Sequence, residues 1–85
     1  MDIQETEEGL GVYLERLRQT AVTYNLVIGF NKNDPNNPYE YDIFVRDRKN
    51  NCWGHTVTTI TLDLSSIFQV WKEIESLMMS LIKKR

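Results

Sequence analysis

Residues 39–62 read YEYDIFVRDRKNNCWGHTVTTITL, and this stretch decides the fold. Apolar and polar residues alternate before RKNN, and β-branched residues are abundant after it, which predicts two strands joined by a turn. Asparagine tolerates the left-handed backbone of tight turns, so Asn50 and Asn51 are the expected central pair. That choice places apolar residues of both strands on matching faces. The predicted pairs are Lys49–Cys52, Val45–Thr56, Ile43–Thr58, Tyr41–Ile60 and Tyr39–Leu62.

A helix and a further strand precede this hairpin. The segment EEGLGVYLERLRQTAVTYN carries leucines at helical spacing, which predicts a first helix over about residues 7–22 with Thr6 as its N-cap. Residues 1–6 are expected to be frayed. The next segment, TYNLVIGFN, alternates like a strand, and NKNDPNNP is typical of a loop because Asn, Asp and Pro dominate it.

A second helix follows the hairpin. From Ile67 to Ile82 the apolar residues form a broad stripe at helical spacing, which predicts a helix that continues to the end of the chain. Ser66 and Gln69 have the spacing of a capping box, and Ser65 or Asp63 are alternative N-caps.

These elements predict an α+β fold in the order α-β-β-β-α. A three-stranded antiparallel meander would pack two helices on one face, giving a two-layer sandwich in a single domain over residues 1–85. The other sheet face would stay open. The residues expected to meet the helices are Tyr24, Leu26, Ile28, Phe30, Tyr41, Ile43, Val45, Ile60 and Leu62.

The charge, the cysteine count and the lengths of the apolar runs disfavour several classes of function. The 85 residues carry a formal net charge of −2, which gives no overall field that attracts a polyanion. One cysteine cannot form an internal disulfide, and the acidic start MDIQETEEGLG lacks the pattern of a secretory signal. The apolar runs are too short to span a bilayer. We therefore expect a cytoplasmic protein without a membrane partner; a phage or mobile-element origin is compatible with its size.

The segment NNCWGH holds the only cysteine and the only histidine of the chain. A nucleophilic pair needs sulfur and imidazole within hydrogen-bond reach, but Cys52 and His55 are three positions apart and would project from opposite faces of a strand. A bulge at Gly54 is the one arrangement that would change this. Cys52 and His55 also lack the further Cys or His ligands of a metal site. We expect no metal and no cofactor.

Other catalytic patterns are weak. Glu40 and Asp42 would share one strand face, where paired carboxylates could divide acid and base roles, but an ordinary solvated strand face is the favoured interpretation. The glycines fit neither a phosphate-binding loop nor a dinucleotide fingerprint. We therefore expect a protein that is not an enzyme.

The second helix opens with SSIFQVWKEIE, and the first hairpin loop is NKNDPNNP. The order and lengths of the elements resemble the topology of double-stranded RNA-binding domains. The resemblance implies RNA contacts from a basic cluster at the start of the second helix and from that loop. Here the helix start is apolar and acidic, so the resemblance is one of architecture. A nucleic-acid-binding module remains the alternative, through Arg46, Arg48 and Lys49 of the second hairpin.

The predicted open face carries an aromatic and aliphatic patch. In the predicted register Phe44 lies opposite Val57, Arg46 opposite His55, and Arg48 opposite Trp53. Apolar residues rimmed by arginine are typical of a protein interface, although scattered apolar residues on a solvated face are also common. We expect another protein to bind here. The predicted contact residues are Val27, Phe44, Arg46, Trp53, His55 and Val57.

The second helix also suggests self-association. Its apolar surface is wider than one three-stranded sheet requires, and symmetric dimers are the commonest assembly, so a homodimer is expected. Its predicted contacts are Phe68, Met78 and Met79. The alternative is that these residues pack against the first helix.

Overall fold

The structure is a computed structural model that describes residues 4–84. Its elements are α1 (Glu7–Tyr24), β1 (Leu26–Lys32), β2 (Glu40–Asp47), β3 (Cys52–Thr59) and α2 (Leu64–Lys83). The three strands form one antiparallel sheet in the order β1-β2-β3. The predicted α+β fold and the order α-β-β-β-α are confirmed. Among the described residues no helix is long and apolar enough to cross a membrane.

Helix α1 begins and ends at polar caps. The hydroxyl of Thr6 accepts a hydrogen bond from the backbone N–H of Gly9 at 3.0 Å, so Thr6 is the N-cap that the sequence predicts. Asn25 ends the helix in the left-handed conformation with φ of 56°. The helix therefore extends through Tyr24, two residues beyond the predicted end. Tyr24 was expected in β1, and the helix takes it instead.

Both helices lie on one face of the sheet. On β2, Ile43 and Val45 are buried while Arg46 between Val45 and Asp47 is exposed, so the odd-numbered positions face the helices. Leu77 of α2 lies over Gly54 of β3. The buried hydrophobic core comprises Tyr13, Leu17, Leu26, Ile43, Val45, Phe68, Val70, Ile74, Met78 and Leu81.

The hairpin register differs from the predicted one by two residues. The structure pairs Asp47 with Cys52 and Ile43 with Thr56, and residues 48–51 form a four-residue turn. The cause is Asp47, which is 1% exposed and whose Oδ1 accepts hydrogen bonds from the backbone N–H groups of Lys49 and Asn50. A shift of two residues leaves every side chain on its predicted face, because the side-chain period of a strand is two.

The shift shortens the end of β3. Since β2 begins at Glu40, whose partner is Thr59, the strand stops there. The prediction that Leu62 meets the helices is wrong, because the side chain lies beyond the strand and is 98% exposed. Ile60 keeps its predicted place against the core.

The N-cap of α2 is Asp63, one of the two predicted alternatives to Ser66. The helix begins at Leu64, with Asp63 as an N-cap that makes no side-chain hydrogen bond. The hydroxyl of Ser66 accepts from the backbone N–H of Thr61 at 3.3 Å, so it holds the preceding segment and does not form the predicted capping box. Residues 1–3, which belong to the segment 1–6 that was expected to be frayed, lie outside the described residues.

Two of the three predicted dimer contacts lie in the core. Phe68 is 1% exposed and stacks on Tyr13 of α1, with ring centroids 6.2 Å apart. Met78 is 0% exposed. Both side chains therefore pack inside the monomer. Phe68 packs against the first helix, as the alternative prediction stated. Met79 is 40% exposed.

Candidate functional site: the open face of the sheet

The six predicted contact residues come together on the sheet face opposite the helices, called here the open face. Val27 comes from β1, Phe44 and Arg46 from β2, and the rest from β3. Strand alternation places them on one side, because the residues between them are those that face the core. The open-face residues are Val27, Phe44, Arg46, Trp53, His55 and Val57.

Phe44 is held in place by a glycine. Gly29 is its cross-strand partner on β1, and a Cβ atom added to Gly29 would overlap Cζ and Cε1 of the Phe44 ring. The far end of the ring therefore occupies the space that a side chain at position 29 would need. A glycine within a strand often marks such a close approach. The need for glycine at position 29 is visible only in the fold, where the Phe44 ring approaches it.

Trp53 contacts both the Phe44 ring and the Arg46 guanidinium. The Trp53 ring lies 5.6 Å from the Phe44 ring between centroids, tilted by 41°. The Arg46 guanidinium carbon is 5.4 Å from the centroid of Trp53, within cation–π range, and its Nη2 donates to Asn51 Oδ1 at 3.1 Å. Arg46 is directly opposite Trp53 on the neighbouring strand. The predicted pairing of Arg48 with Trp53 is therefore wrong.

The remaining pairings shift in the same way. Phe44 is opposite His55, not Val57, and Arg46 is not opposite His55. Asp42 takes the place opposite Val57. The cause is again the four-residue turn at Asp47.

The patch is accessible. Trp53 is 56% exposed, Val57 49% and Val27 37%. Phe44 is half-buried by its contacts with Gly29 and Trp53, whereas His55 is exposed. Tryptophan is highly buried on average and is enriched at interfaces, so its exposure on this face suits a binding surface. The open face therefore offers a semi-rigid aromatic centre with aliphatic neighbours.

The hairpin turn carries the other basic residues. Arg48 and Lys49 are exposed in the turn, next to the open-face end at which Arg46 stacks on Trp53. The turn itself is fixed by Asp47, whose Oδ2 also accepts from the side-chain amide of Asn50 at 3.3 Å. The three predicted nucleic-acid contacts are thus divided between the sheet face and the turn.

Cys52 and His55 lie on opposite faces. Cys52 packs partly against the core, and its Sγ donates to the backbone oxygen of Asn50 at 3.6 Å. His55 is on the open face, and the ladder continues regularly through Gly54, which pairs with Val45. Among residues 4–84 the His, Cys, Asp and Glu side chains form no group of three suited to a metal ion. The geometry brings no base to the thiol.

Glu40 and Asp42 have different surroundings. Glu40 accepts hydrogen bonds from the side-chain amides of Asn33 and Asn37 in the first hairpin loop. Asp42 has a buried carboxylate oxygen, Oδ1, to which no described residue donates. Glu40 therefore helps to close the loop NKNDPNNP.

A depression beside β3 involves residues that the sequence does not single out. It has a volume of about 170 Å³ and is lined by Thr56, Glu73, Ser76 and Leu77. The Oε2 atom of Glu73 is buried and accepts no hydrogen bond from any described residue. In the sequence WKEIES, Glu73 looks like an ordinary surface residue of an amphipathic helix, so only the packing of α2 on β3 reveals it.

Comparison with known proteins gives no relative: no protein-family model, curated protein or solved structure is significantly similar to this chain.

Proposed function

We propose that this protein is a small non-enzymatic binding module that recognises another protein through the open face of its sheet. The observation that carries the proposal is the stack of Phe44, Trp53 and Arg46 on the face opposite both helices. Tryptophan and arginine are the residue types that most often dominate the energy of protein interfaces. Their stacking also reduces the side-chain freedom that binding would remove.

The shape of the chain supports a partner on this face. The Cα atoms extend over 35 × 34 × 15 Å, with a radius of gyration of 13.3 Å. A compact domain of this length has a radius of gyration of about 12 Å. The described chain is therefore a thin plate of one helical layer and one sheet. An antiparallel sheet can leave one face to solvent, so this broad face is available to a partner.

The alternative function is nucleic-acid binding through Arg46, Arg48 and Lys49. A cationic guanidinium beside an aromatic ring also suits a stacked base. Arg46, however, already donates to Asn51 and stacks on Trp53, and the whole chain carries a net charge of −2. We favour the protein partner because the apolar members of the patch, Val27 and Val57, add nothing to phosphate contacts.

The test is affinity capture from the native host with three forms of the full chain: the parent, Trp53→Ala and Tyr39→Ala. Tyr39 is a matched control, because it is an aromatic residue of 55% exposure that precedes β2, whereas Trp53 is 56% exposed on the open face. We expect one protein to be captured by the parent and by Tyr39→Ala, with at least about 30-fold weaker binding to Trp53→Ala. Equal binding by Trp53→Ala would refute the proposal.

A further inference from the structure

We propose that the partner adds an extended segment to the free edge of β3, and that this segment carries a basic side chain which enters the depression beside Glu73. This inference rests on the proposed function and specifies the chemistry of its partner. It joins two surfaces that meet along the same strand: the open face on one side and the depression on the other.

No strand within residues 4–84 pairs with the outer edge of β3. The sheet order makes β3 an edge strand. The N–H of Ile60 donates to the carbonyl of Tyr39 at 2.8 Å, so these two residues form a hydrogen-bonded pair. In an antiparallel ladder every second pair is of this kind, and Thr58 with Tyr41 is the next such pair. The intervening residues direct their N–H and C=O groups away from β2. These residues are Trp53, His55, Val57 and Thr59.

The sequence of this edge does not block pairing. Natural edge strands are commonly protected by lysine, proline or a bulge. The strand CWGHTVTT has neither lysine nor proline, and its ladder with β2 is regular over all eight residues. An added strand would therefore find unpaired donors and acceptors along the length of β3. This is the geometry of β-augmentation.

Helix geometry places the depression along the same edge. Glu75 of α2 accepts a hydrogen bond from Tyr13 of α1 at 2.9 Å, so that side of α2 faces α1. Glu73 precedes Glu75 by two residues, about 200° around the helix, and so lies on the side away from α1. Thr56, a core-facing residue of the edge strand, lines the depression with it. The depression therefore opens toward the free edge of β3.

The side chains of an added strand would alternate between the two surfaces. On one side they would meet Trp53 and Val57, which favours apolar residues. On the other side one of them would enter the depression that Glu73 lines, and the buried Oε2 of Glu73 accepts no hydrogen bond from a described residue. A lysine or arginine supplies both the missing hydrogen and the opposite charge. The segment is therefore extended, with apolar residues flanking a basic one.

A second copy of this chain fits the edge less well. Thr56 lies near the middle of β3, so a fully overlapping antiparallel pair of β3 strands would bring two copies of the depression toward each other. Each copy would contribute the Oε2 atom of Glu73, to which no described residue donates, and neither lysine nor arginine from β3. Charge complementarity thus favours a foreign basic segment.

The test is an NMR titration of the full isotope-labelled chain with the peptide acetyl-Thr-Thr-Val-Lys-Val-Thr-Thr-amide. Its side-chain pattern reads the same in both directions, with lysine on one face and valines on the other. We expect chemical-shift changes and slower hydrogen exchange for the backbone amides of the four outward-directed residues of β3. Replacing lysine by glutamate in the peptide should weaken binding at least about tenfold. Equal affinity of the two peptides, or shifts confined to the helices, would overturn the inference.

Variants of the chain separate edge pairing from side-chain contact. Val57→Pro removes an outward N–H without removing a bond to β2, so the fold should survive, whereas Val57→Ala keeps that N–H. We expect peptide binding to be lost in Val57→Pro but only partly weakened in Val57→Ala, which shortens a contacting side chain and keeps the N–H. Glu73→Gln should weaken binding about tenfold. If Val57→Pro does not fold, peptides methylated on nitrogen replace it. Methylation of both valines should abolish antiparallel binding, and methylation of lysine should not.

The outcomes distinguish this inference from the proposed function. If Trp53→Ala loses the captured protein while Glu73→Gln binds it normally and Val57→Pro binds it as well as Val57→Ala does, the edge inference is wrong and the open-face proposal stands. If Trp53→Ala binds the captured protein normally, the proposed function fails whatever the peptide does. A dimer in sedimentation that Val57→Pro abolishes would show that a second copy occupies the edge, which contradicts the foreign segment.

Discussion

The Phe44 ring lies directly against the backbone of Gly29, its partner on the neighbouring strand, and leaves no space for a Cβ atom there. This contact fixes the orientation of Phe44, which in turn supports Trp53. The aromatic patch of the open face thus depends on a residue that has no side chain. The relationship links the stability of the sheet to the geometry of the proposed binding surface.

Gly29→Ala should destabilise the protein by about 1–3 kcal/mol, because the methyl group must displace the Phe44 ring or the strand. Denaturant unfolding measures this loss. Gly11→Ala is the matched control: nothing lies within 4 Å of an added Cβ in α1, so alanine should stabilise the helix by about 0.5–1 kcal/mol. Equal effects of the two substitutions would contradict the close contact at Gly29.

Asp47→Ala should lower the free energy of unfolding by about 2–3 kcal/mol, because the buried carboxylate accepts from two backbone N–H groups of the hairpin turn. Asp34→Ala is the control. Asp34 accepts from the backbone N–H of Asn36 in the exposed first loop, so its loss should cost less than about 1 kcal/mol. Chemical denaturation of both variants checks the difference. A loss at Asp47 no larger than that at Asp34 would contradict the role of Asp47 in the turn.

The raised pKa of Tyr13 predicts that the protein loses stability at high pH. Burial, the hydrogen bond to Glu75 and the charge of that carboxylate raise the pKa of Tyr13 to about 12 from 10.0. The folded state therefore keeps this proton where the unfolded state releases it. The resulting stabilisation is complete below about pH 10 and is lost as the pH rises to about 12.

Tyr13→Phe isolates this contribution. The substitution removes the hydrogen bond to Glu75, at a cost of about 1 kcal/mol near neutral pH. Unfolding measured between pH 9 and about 12 should show a shallower decline for the variant than for the parent. Tyr39→Phe is the matched control, because it removes the hydroxyl of an exposed tyrosine. Identical slopes for Tyr13→Phe and the parent would show that Tyr13 does not carry the effect.

Charge substitutions in the turn separate the two candidate partners. Arg48 and Lys49 are exposed and belong to the nucleic-acid alternative, not to the six open-face residues. Arg48→Gln with Lys49→Gln should therefore leave capture of the protein partner within about twofold of the parent. Nucleic-acid binding that weakens steeply with salt, and that this double variant abolishes, would favour the alternative instead.

Strand periodicity was enough to predict which face each sheet residue occupies. Phe44, Trp53 and Val57 lie on the open face despite the shifted register, because a shift of two residues preserves sidedness. The pairing itself depended on the turn. The pair Asn50 and Asn51 suggests a two-residue turn, but the preceding Asp47 folds back to bind the turn backbone and makes it four residues long.

Contacts between distant elements could not be predicted in the same way. Glu73 and Thr56 are 17 positions apart in the numbering of the chain, and no local pattern marks either as part of a depression. The burial of Phe68 and Met78 likewise depends on how α1 and α2 pack, which periodicity along a single helix does not specify. Such features require the tertiary arrangement.

The most direct test of the open-face proposal is to map the captured partner on the isotope-labelled chain by NMR. The proposal predicts that the largest shifts fall on Val27, Phe44, Arg46, Trp53, His55 and Val57. Exposed apolar residues of the helices, such as Val12, Val22 and Met79, should be unaffected. Shifts concentrated on the helices, with the open face unchanged, would contradict the proposal.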